Sequence, residues 1–414
     1  MIEAHQNTPS PQLDNYISII RSELQKAELH NKIKEGANIA ITAGSRGLAH
    51  YPEILATIVE EVKDAGGKPF LTCTMGSHGG GTPEGQREVL TSLGITEQTI
   101  GAPIHSSMEV DQIGTLPNGI PVYVDRNVLK ADGVIVVGRV KPHTDFKDKI
   151  ESGLMKMLVI GLGKQKGAQL IHSYQGEGYH KLLPQAARLI IQKIPILLGL
   201  AIVENPNHEI ALVKAIQPTD IEQEETKLLE QAKQLIARIP FKEIDVLIVD
   251  EMGKNISGTG MDTNVTGRFW VPGETDPLAP KVKRIVVLGL SEQTHGNAIG
   301  IGLADITTQR TVSKIDYHAT FLNALTAGWP EVGKTPLYLP NDRDAISVAL
   351  HTIGPIDPRD AKVVHIKNTL ELEHLWLSES LAKTLKDNPE LQKKLETIGE
   401  PREMQFDALG TLAR

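Results

Sequence analysis

The chain has 414 residues, 40% of them hydrophobic and 23% charged, with a formal net charge of −8 and a single cysteine. That length exceeds one ordinary core and sets an expectation of two domains, while the acidic balance, with no dense Lys/Arg cluster, argues against nucleic acid or an anionic membrane as partner. The lone Cys73 excludes an intrachain disulfide, no apolar run approaches the roughly 20 residues of a membrane span, and the start MIEAHQNTPSPQLDN lacks a leader-peptide pattern, so the expected setting is cytoplasmic.

Residues 1–35 begin polar and then read as helix. NIAITAG (38–44) reads as a buried strand ending at a glycine, followed by the loop SRGLAH. Pro52 occupies a helix's first turn, and Ile54, Leu55, Ile58, Val59 and Val62 mark one apolar face at helical spacing. Gly66 and Gly67 stop that helix before the strand KPFLTCTM (68–75). The resulting βαβ unit implies parallel strands with a right-handed crossover. The second strand runs into GSHGGG (76–81), and Thr82-Pro83 opens another helix.

Residues 101–130 are turn-rich with short strands. ADGVIVVGRV (131–140) is continuously apolar, as a strand covered on both faces is, and delivers KPHTDF at its end. Then come the apolar LMKMLVIGLG, the glycine-rich GLGKQKGA, helical KLLPQAARLIIQKI and strand-like ILLGLAIVEN. Residues 219–238 form an amphipathic helix with i,i+4 charge pairs. IDVLIVDEMG (244–253), RIVVLGL (284–290) and KVVHIKN are further strands, with the glycine-rich KNISGTGMDTNVTGRF after the first of them. The expected fold is α/β: two domains, 1–240 and 241–414, with parallel-rich sheets flanked by helices and the active site in an interdomain cleft.

Ligands of open α/β sheets bind beyond the carboxyl ends of the strands. Three strand ends deliver Arg46, His78 and His143 there. Each alone has a plain alternative: a capping or ion-paired arginine, or a histidine on a glycine turn. Together they suit a small anionic substrate and proton transfer near neutral pH, the arginine binding a carboxylate bidentately. Lys156 lies in an apolar run, where an unpaired ammonium is costly, so it snorkels or has a chemical role. His172, alone, reads as a structural helix histidine; with the others it could ligate nickel, copper or zinc. His105 and His180 read as surface or structural, Cys73 as a small core residue, and Asp262 and Asn264 as turn or ligand-loop residues. IGLGKQKGA is one residue off a dinucleotide fingerprint and is not followed by the acidic residue that the fingerprint needs. No P-loop, G-x-S-x-G, H-E-x-x-H or CxxC is present.

The motifs AGSRG, MGSHGGGTPEGQ, GRVKPHTDF, ESGLMKMLVIGLGKQKGA followed by His172, and MDTNVTGR together make the chain resemble the lactate racemase family, the nickel-pincer-nucleotide enzymes. The likeness covers nearly the whole sequence. It implies a pyridinium mononucleotide cofactor with nickel held by an S,C,S pincer. It implies Lys156 as the covalent tether, His172 as the nickel ligand, and Ser45, Ser152 and Gly153 as phosphate contacts. His78 and His143 become the acid/base pair and Arg46 the carboxylate clamp. The implied reaction is racemisation or epimerisation at C2 of a 2-hydroxy acid by hydride transfer. Where the family's lactate enzyme has a second-domain lysine, this loop reads MDTNVTGR, which makes Arg268 a candidate substrate contact. AGSRG also lacks the acidic residue that precedes the family's arginine. A larger substrate, a sugar acid or a dicarboxylate, is therefore as well suited as lactate. The expected partner is this small hydroxy acid; no oligomeric state is implied. Two other readings of the same residues are a zinc hydrolase using His78, His143 and His172, and a non-catalytic binder of acidic sugars or nickel.

Overall fold

A computed structural model describes residues 1–413. Its contacts divide the chain into two units, one of Pro9–His143 and Lys147–Ile236, the other of Met1–Thr8, Thr144–Phe146 and everything from Ala237 onward. The division is discontinuous, unlike the simple split after residue 240 that was expected. Within the polar start, ahead of the expected helix, Ile2–Gln6 is a strand that pairs antiparallel with His374–Leu377 and with Leu395–Ile398.

The first unit is built on a six-stranded sheet. In spatial order its strands are Ile104–His105, Lys68–Cys73, Asn38–Ala43, Gly133–Arg139, Ile196–Glu204 and Ile210–Ile216. All neighbours are parallel except the last pair. Continuous apolar runs fill these strands because both faces are covered: Ile135, Val136 and Val137 are all buried. Helix Tyr51–Asp64 buries the face formed by Ile54, Leu55, Ile58, Val59 and Val62, as its periodicity predicts. Thr82 caps helix Pro83–Ser92 through the amide of Gly85 at 3.1 Å.

Strand Asn38–Ala43 connects outward to Lys68–Cys73 on one side, while Gly133–Arg139, its neighbour on the other side, connects outward to Ile196–Glu204. The order therefore reverses between Asn38–Ala43 and Gly133–Arg139. Loops diverge beyond the carboxyl ends of such a pair and leave a crevice.

The second unit has an eight-stranded sheet. Its order is Leu337–Leu339, Ile306–Thr308, Lys281–Val287, Glu243–Val249, Val363–Ile366, His374–Leu377, Ile2–Gln6 and Leu395–Ile398. The first five are mutually parallel and the last three antiparallel. The fold class is α/β, with parallel-rich sheets flanked by helices. No helix among the described residues is long and apolar enough to cross a membrane.

Candidate functional site

Three loops leave the sheet of the first unit around its switch point. The loop after Asn38–Ala43 is pinned at both ends. The Gly44 amide donates to the buried Tyr51 hydroxyl at 2.7 Å, and the Ala49 amide donates to Glu204 at 2.8 Å. Glu204 is itself paired with Arg139. Ser45 and Arg46 are presented between these anchors, with Arg46 exposed.

The loop after Lys68–Cys73 carries His78. Gly76, Gly79, Gly80 and Gly81 all have positive φ, which only glycine adopts at little cost. At Gly79 a Cβ would lie 2.5 Å from the Gln86 amide nitrogen, so the turn also requires close backbone approach. The buried Gln86 side chain donates to the Gly76 carbonyl at 2.9 Å and to the His78 carbonyl at 3.3 Å. This holds the histidine's backbone while its ring is exposed and hydrogen-bonded through Nδ1 to the Ser45 hydroxyl. Two different strand ends thus meet in a Ser45–His78 contact.

The third loop carries His143. Its amide donates to Glu151 at 2.6 Å, and Glu151 is fully buried with Lys147 and Lys233 around it. The His143 ring is buried, and its Nε2 meets the Lys156 amine. Burial, then the charge of Lys156, with Lys147 and Lys141 behind it, holds His143 well below the usual imidazole range. The ring is neutral at pH 7.

Lys156 ends the short turn Leu154–Lys156 and is followed by a π-helical segment, Met157–Gly161, then by helix Lys164–Ser173. Single π-turns of this kind recur at functional sites. The sequence sets an expectation of a buried Lys156. It is instead half-buried, because its amine leaves the apolar run to reach His143. The lysine with no exposure is Lys164, paired with buried Asp125 at 2.9 Å and bonded to the Cys73 carbonyl. Its φ of 52° also shows that GLGKQKGA is a break between helical segments, not a strand-to-helix nucleotide turn.

His172 is in the last turn of helix Lys164–Ser173, where the helix dipole would favour its charged form. Burial and the charge of Lys156 outweigh that and lower it to about 4. Tyr179, which the sequence analysis did not single out, lies between the two imidazoles. Its ring centroid is 6.0 Å from that of His143 and 5.7 Å from that of His172. Gly178 makes this possible, since a Cβ there would lie 2.0 Å from the Ile171 carbonyl oxygen.

Ser152 and Gly153 are placed differently from a free phosphate cradle. Ser152 exchanges both backbone bonds with Lys141, at 3.0 and 3.2 Å. A Cβ on Gly153 would lie 2.5 Å from the Glu225 carboxyl group. Glu225, fully buried, accepts from the Met155 amide at 2.9 Å and occupies the start of the Lys156 turn. Burial pushes its carboxyl up to about 7 against the pull of the Met155 and Leu154 amides. Sequence alone hides this residue, which reads as one more charge on an amphipathic helix.

Arg268, in the second unit, is committed to structure. Its guanidinium pairs with Asp305 at 2.6 Å and bonds the carbonyls of Leu303, Val282 and Lys283. Asp262 caps helix Thr263–Thr266, and Asn264 bonds back to it, so both are turn chemistry. His180 pairs with Asp148 at 2.7 Å and His105 stacks on Phe70. Burial pushes the Cys73 thiol up, as for a core residue. Among the described residues, His78, His143 and His172 do not form a three-ligand cluster of the size a zinc ion needs.

The pattern of the lactate racemase N-terminal domain matches residues 2–175, the stretch that holds Ser45, Arg46, His78, His143, Lys156 and His172. The match is confined to this N-terminal stretch of the chain. The structure of the lactate racemase apoprotein from Thermoanaerobacterium thermosaccharolyticum matches with a TM-score of 0.53 at 12% identity, covering 89% of this chain and 94% of that one. At that identity the likeness is one of fold. A comparison with curated proteins finds no match. The match over residues 2–175 supports a racemase-type, isomerase function.

The donor set fits the family's nickel-bearing nucleotide. His172 is a neutral imidazole, the form that ligates a metal. The charges that act on His143 are those of Lys156, Lys147 and Lys141, a basic surrounding suited to a phosphate-bearing group. Lys156 and His172 would hold the group, as amine tether and metal ligand. Ser45 is held by His78, whereas the amides after Gly153 face Glu225.

Proposed function

We propose that this protein inverts C2 of a 2-hydroxy acid, as a racemase or epimerase that uses a nickel-pincer nucleotide held by Lys156 and His172. The observation that supports the proposal is that loops at the carboxyl edge of one sheet carry two linked pairs, Ser45–His78 and His143–Lys156. When bound, the cofactor would supply a hydride acceptor and donor for the substrate carbon. The protein's own residues do the rest.

Inversion needs a proton acceptor for the hydroxyl of either enantiomer. His143 is neutral, so it can take a proton, and burial, the larger cause of its lowered pKa, keeps it from holding one in advance. His78 is paired with a hydroxyl, which can donate or accept. Its ring can therefore adopt either tautomer and act as base for one enantiomer or acid for the other. Each such group contributes roughly 10²–10⁴-fold. Arg46, exposed on the neighbouring loop, would orient the substrate carboxylate bidentately. The proposed partner is a small hydroxy acid and not nucleic acid or a membrane. The proposed setting is the cytoplasm, supported by the lone, buried, unpaired Cys73.

The test is a panel of chiral 2-hydroxy acids carrying deuterium at C2, incubated with protein co-expressed with cofactor-synthesis enzymes. Loss of optical activity with retention of the C2 label is expected. Exchange of the label into water, or no loss of optical activity with any acid, would overturn the proposal. Intact-protein mass spectrometry should show an adduct that disappears in Lys156→Ala.

A further inference from the structure

The second unit carries a cluster of potential ligands that the reaction does not use. Strand Ile2–Gln6 pairs with His374–Leu377 so that His5 and His374 are direct cross-strand partners. Their side chains therefore project from the same face of the sheet, with ring centroids 5.4 Å apart. Glu373 precedes His374, and the Gln6 amide donates to its carbonyl at 2.7 Å, which fixes the backbone there. His5, Glu373 and His374 each offer one ligand atom, and these atoms all lie within 4.8 Å of one another. A tetrahedral ion with Zn–N and Zn–O bonds of about 2.0–2.2 Å needs ligand atoms about 3.3 Å apart. Glu373 and His374 are exposed and His5 is half-buried, so side-chain rotation can close that gap.

Two neighbouring features suit a cation. Glu3 lies 3.2 Å from Nδ1 of His374. A carboxylate on one imidazole nitrogen fixes the tautomer and leaves the other nitrogen for a metal. On the opposite flank of the strand, Glu396 is the cross-strand partner of His5. Three carboxylates thus surround two imidazoles.

We propose that His5, His374 and Glu373 form a binding site for a divalent transition ion of the zinc class, with Glu3 orienting His374 and water completing the shell. Imidazole nitrogen with carboxylate oxygen selects borderline ions such as zinc, nickel or copper over magnesium or calcium. The ion clips the N-terminal strand to a strand several hundred residues later in the chain. A cross-link closing so long a loop stabilises what it joins. This site is independent of the proposed racemase activity.

The experiment is titration of the full-length protein with zinc chloride, followed by calorimetry and thermal melts. To keep His172 from contributing, it uses the His172→Ala background. One zinc per chain is expected, with a rise in melting temperature. His5→Ala and His374→Ala should each abolish both effects, and Glu3→Gln should weaken binding about 10–100-fold. His374 is exposed and His5 only half-buried, so metal-free melts of the variants should overlay the parent and show that folding is intact. Unchanged zinc binding in the His5→Ala/His374→Ala double variant, or zinc binding with no thermal shift, would overturn the clip.

Discussion

Replacing Glu225 by glutamine should remove a pH-dependent weakness from the first unit. Glu225 is fully buried, so solvent does not screen it. Its carboxyl titrates near 7 in the folded chain, against 4.5 for the free side chain. Below pH 4.5 the group is protonated in both states and costs nothing. Between 4.5 and 7 the unfolded chain gives up this proton first, so the folded state binds more protons and stability falls as pH rises. Above 7 the loss is complete. A gap of roughly 2.5 pKa units corresponds to about 3 kcal/mol. Glutamine cannot ionise and keeps an oxygen for the Met155 amide. Glu225→Gln should therefore match the wild type near pH 4.5 and exceed it at pH 8 by about 3 kcal/mol, or roughly 6–12 °C in Tm for a unit of this size. Far-UV circular dichroism melts from pH 4.5 to 8 make the measurement. Tryptophan fluorescence would miss it, because Trp270, Trp329 and Trp376 all lie in the other unit. A gap between the two Tm curves that stays constant with pH would refute the reasoning.

Lys156→Ala should raise the His143 pKa, since it removes the nearest positive charge, yet leave it below the ordinary value because burial is the larger cause; an NMR titration of the imidazole protons reads this directly. Arg268→Ala should destabilise the second unit by about 1–3 kcal/mol through loss of the Asp305 pair, read as a lowered Tm, and leave KM for the hydroxy acid unchanged. A raised KM with unaltered Tm would return Arg268 to the substrate site. Lys164→Met strands a buried carboxylate at Asp125 and should cost about 3–5 kcal/mol in urea unfolding. Adding Asp125→Leu should recover much of that; no recovery would show that the pair does more than neutralise itself.

The strand ends were legible because a run such as GVIVVGR, apolar at every position, marks a strand buried on both faces, and the glycine or polar residues after it mark its carboxyl edge. That logic placed Ser45, Arg46, His78 and His143 on loops at one sheet edge without any coordinates. The Thr82-Pro83 start held because capping is a matter of four neighbouring residues. Lys156 was read as buried because its neighbours in sequence are apolar. Burial depends on where the side chain ends, and this one ends on His143.

The residues missed share a cause. Glu225 has the spacing of a surface charge, and only the packing of its helix against Gly153 makes it a buried helix-terminus acceptor. Tyr179 depends on the contact of Gly178 with Ile171, and Ile2–Gln6 depends on partners near the other end of the chain. Local periodicity, capping and glycine placement thus determined the α/β class, the strand directions and the sheet edge where Arg46, His78 and His143 sit. Tertiary structure alone decided which charges are desolvated and which imidazoles share an ammonium or a carboxylate. Those depend on distances between segments far apart in sequence, and a pKa responds to distance and burial rather than to spacing along the chain.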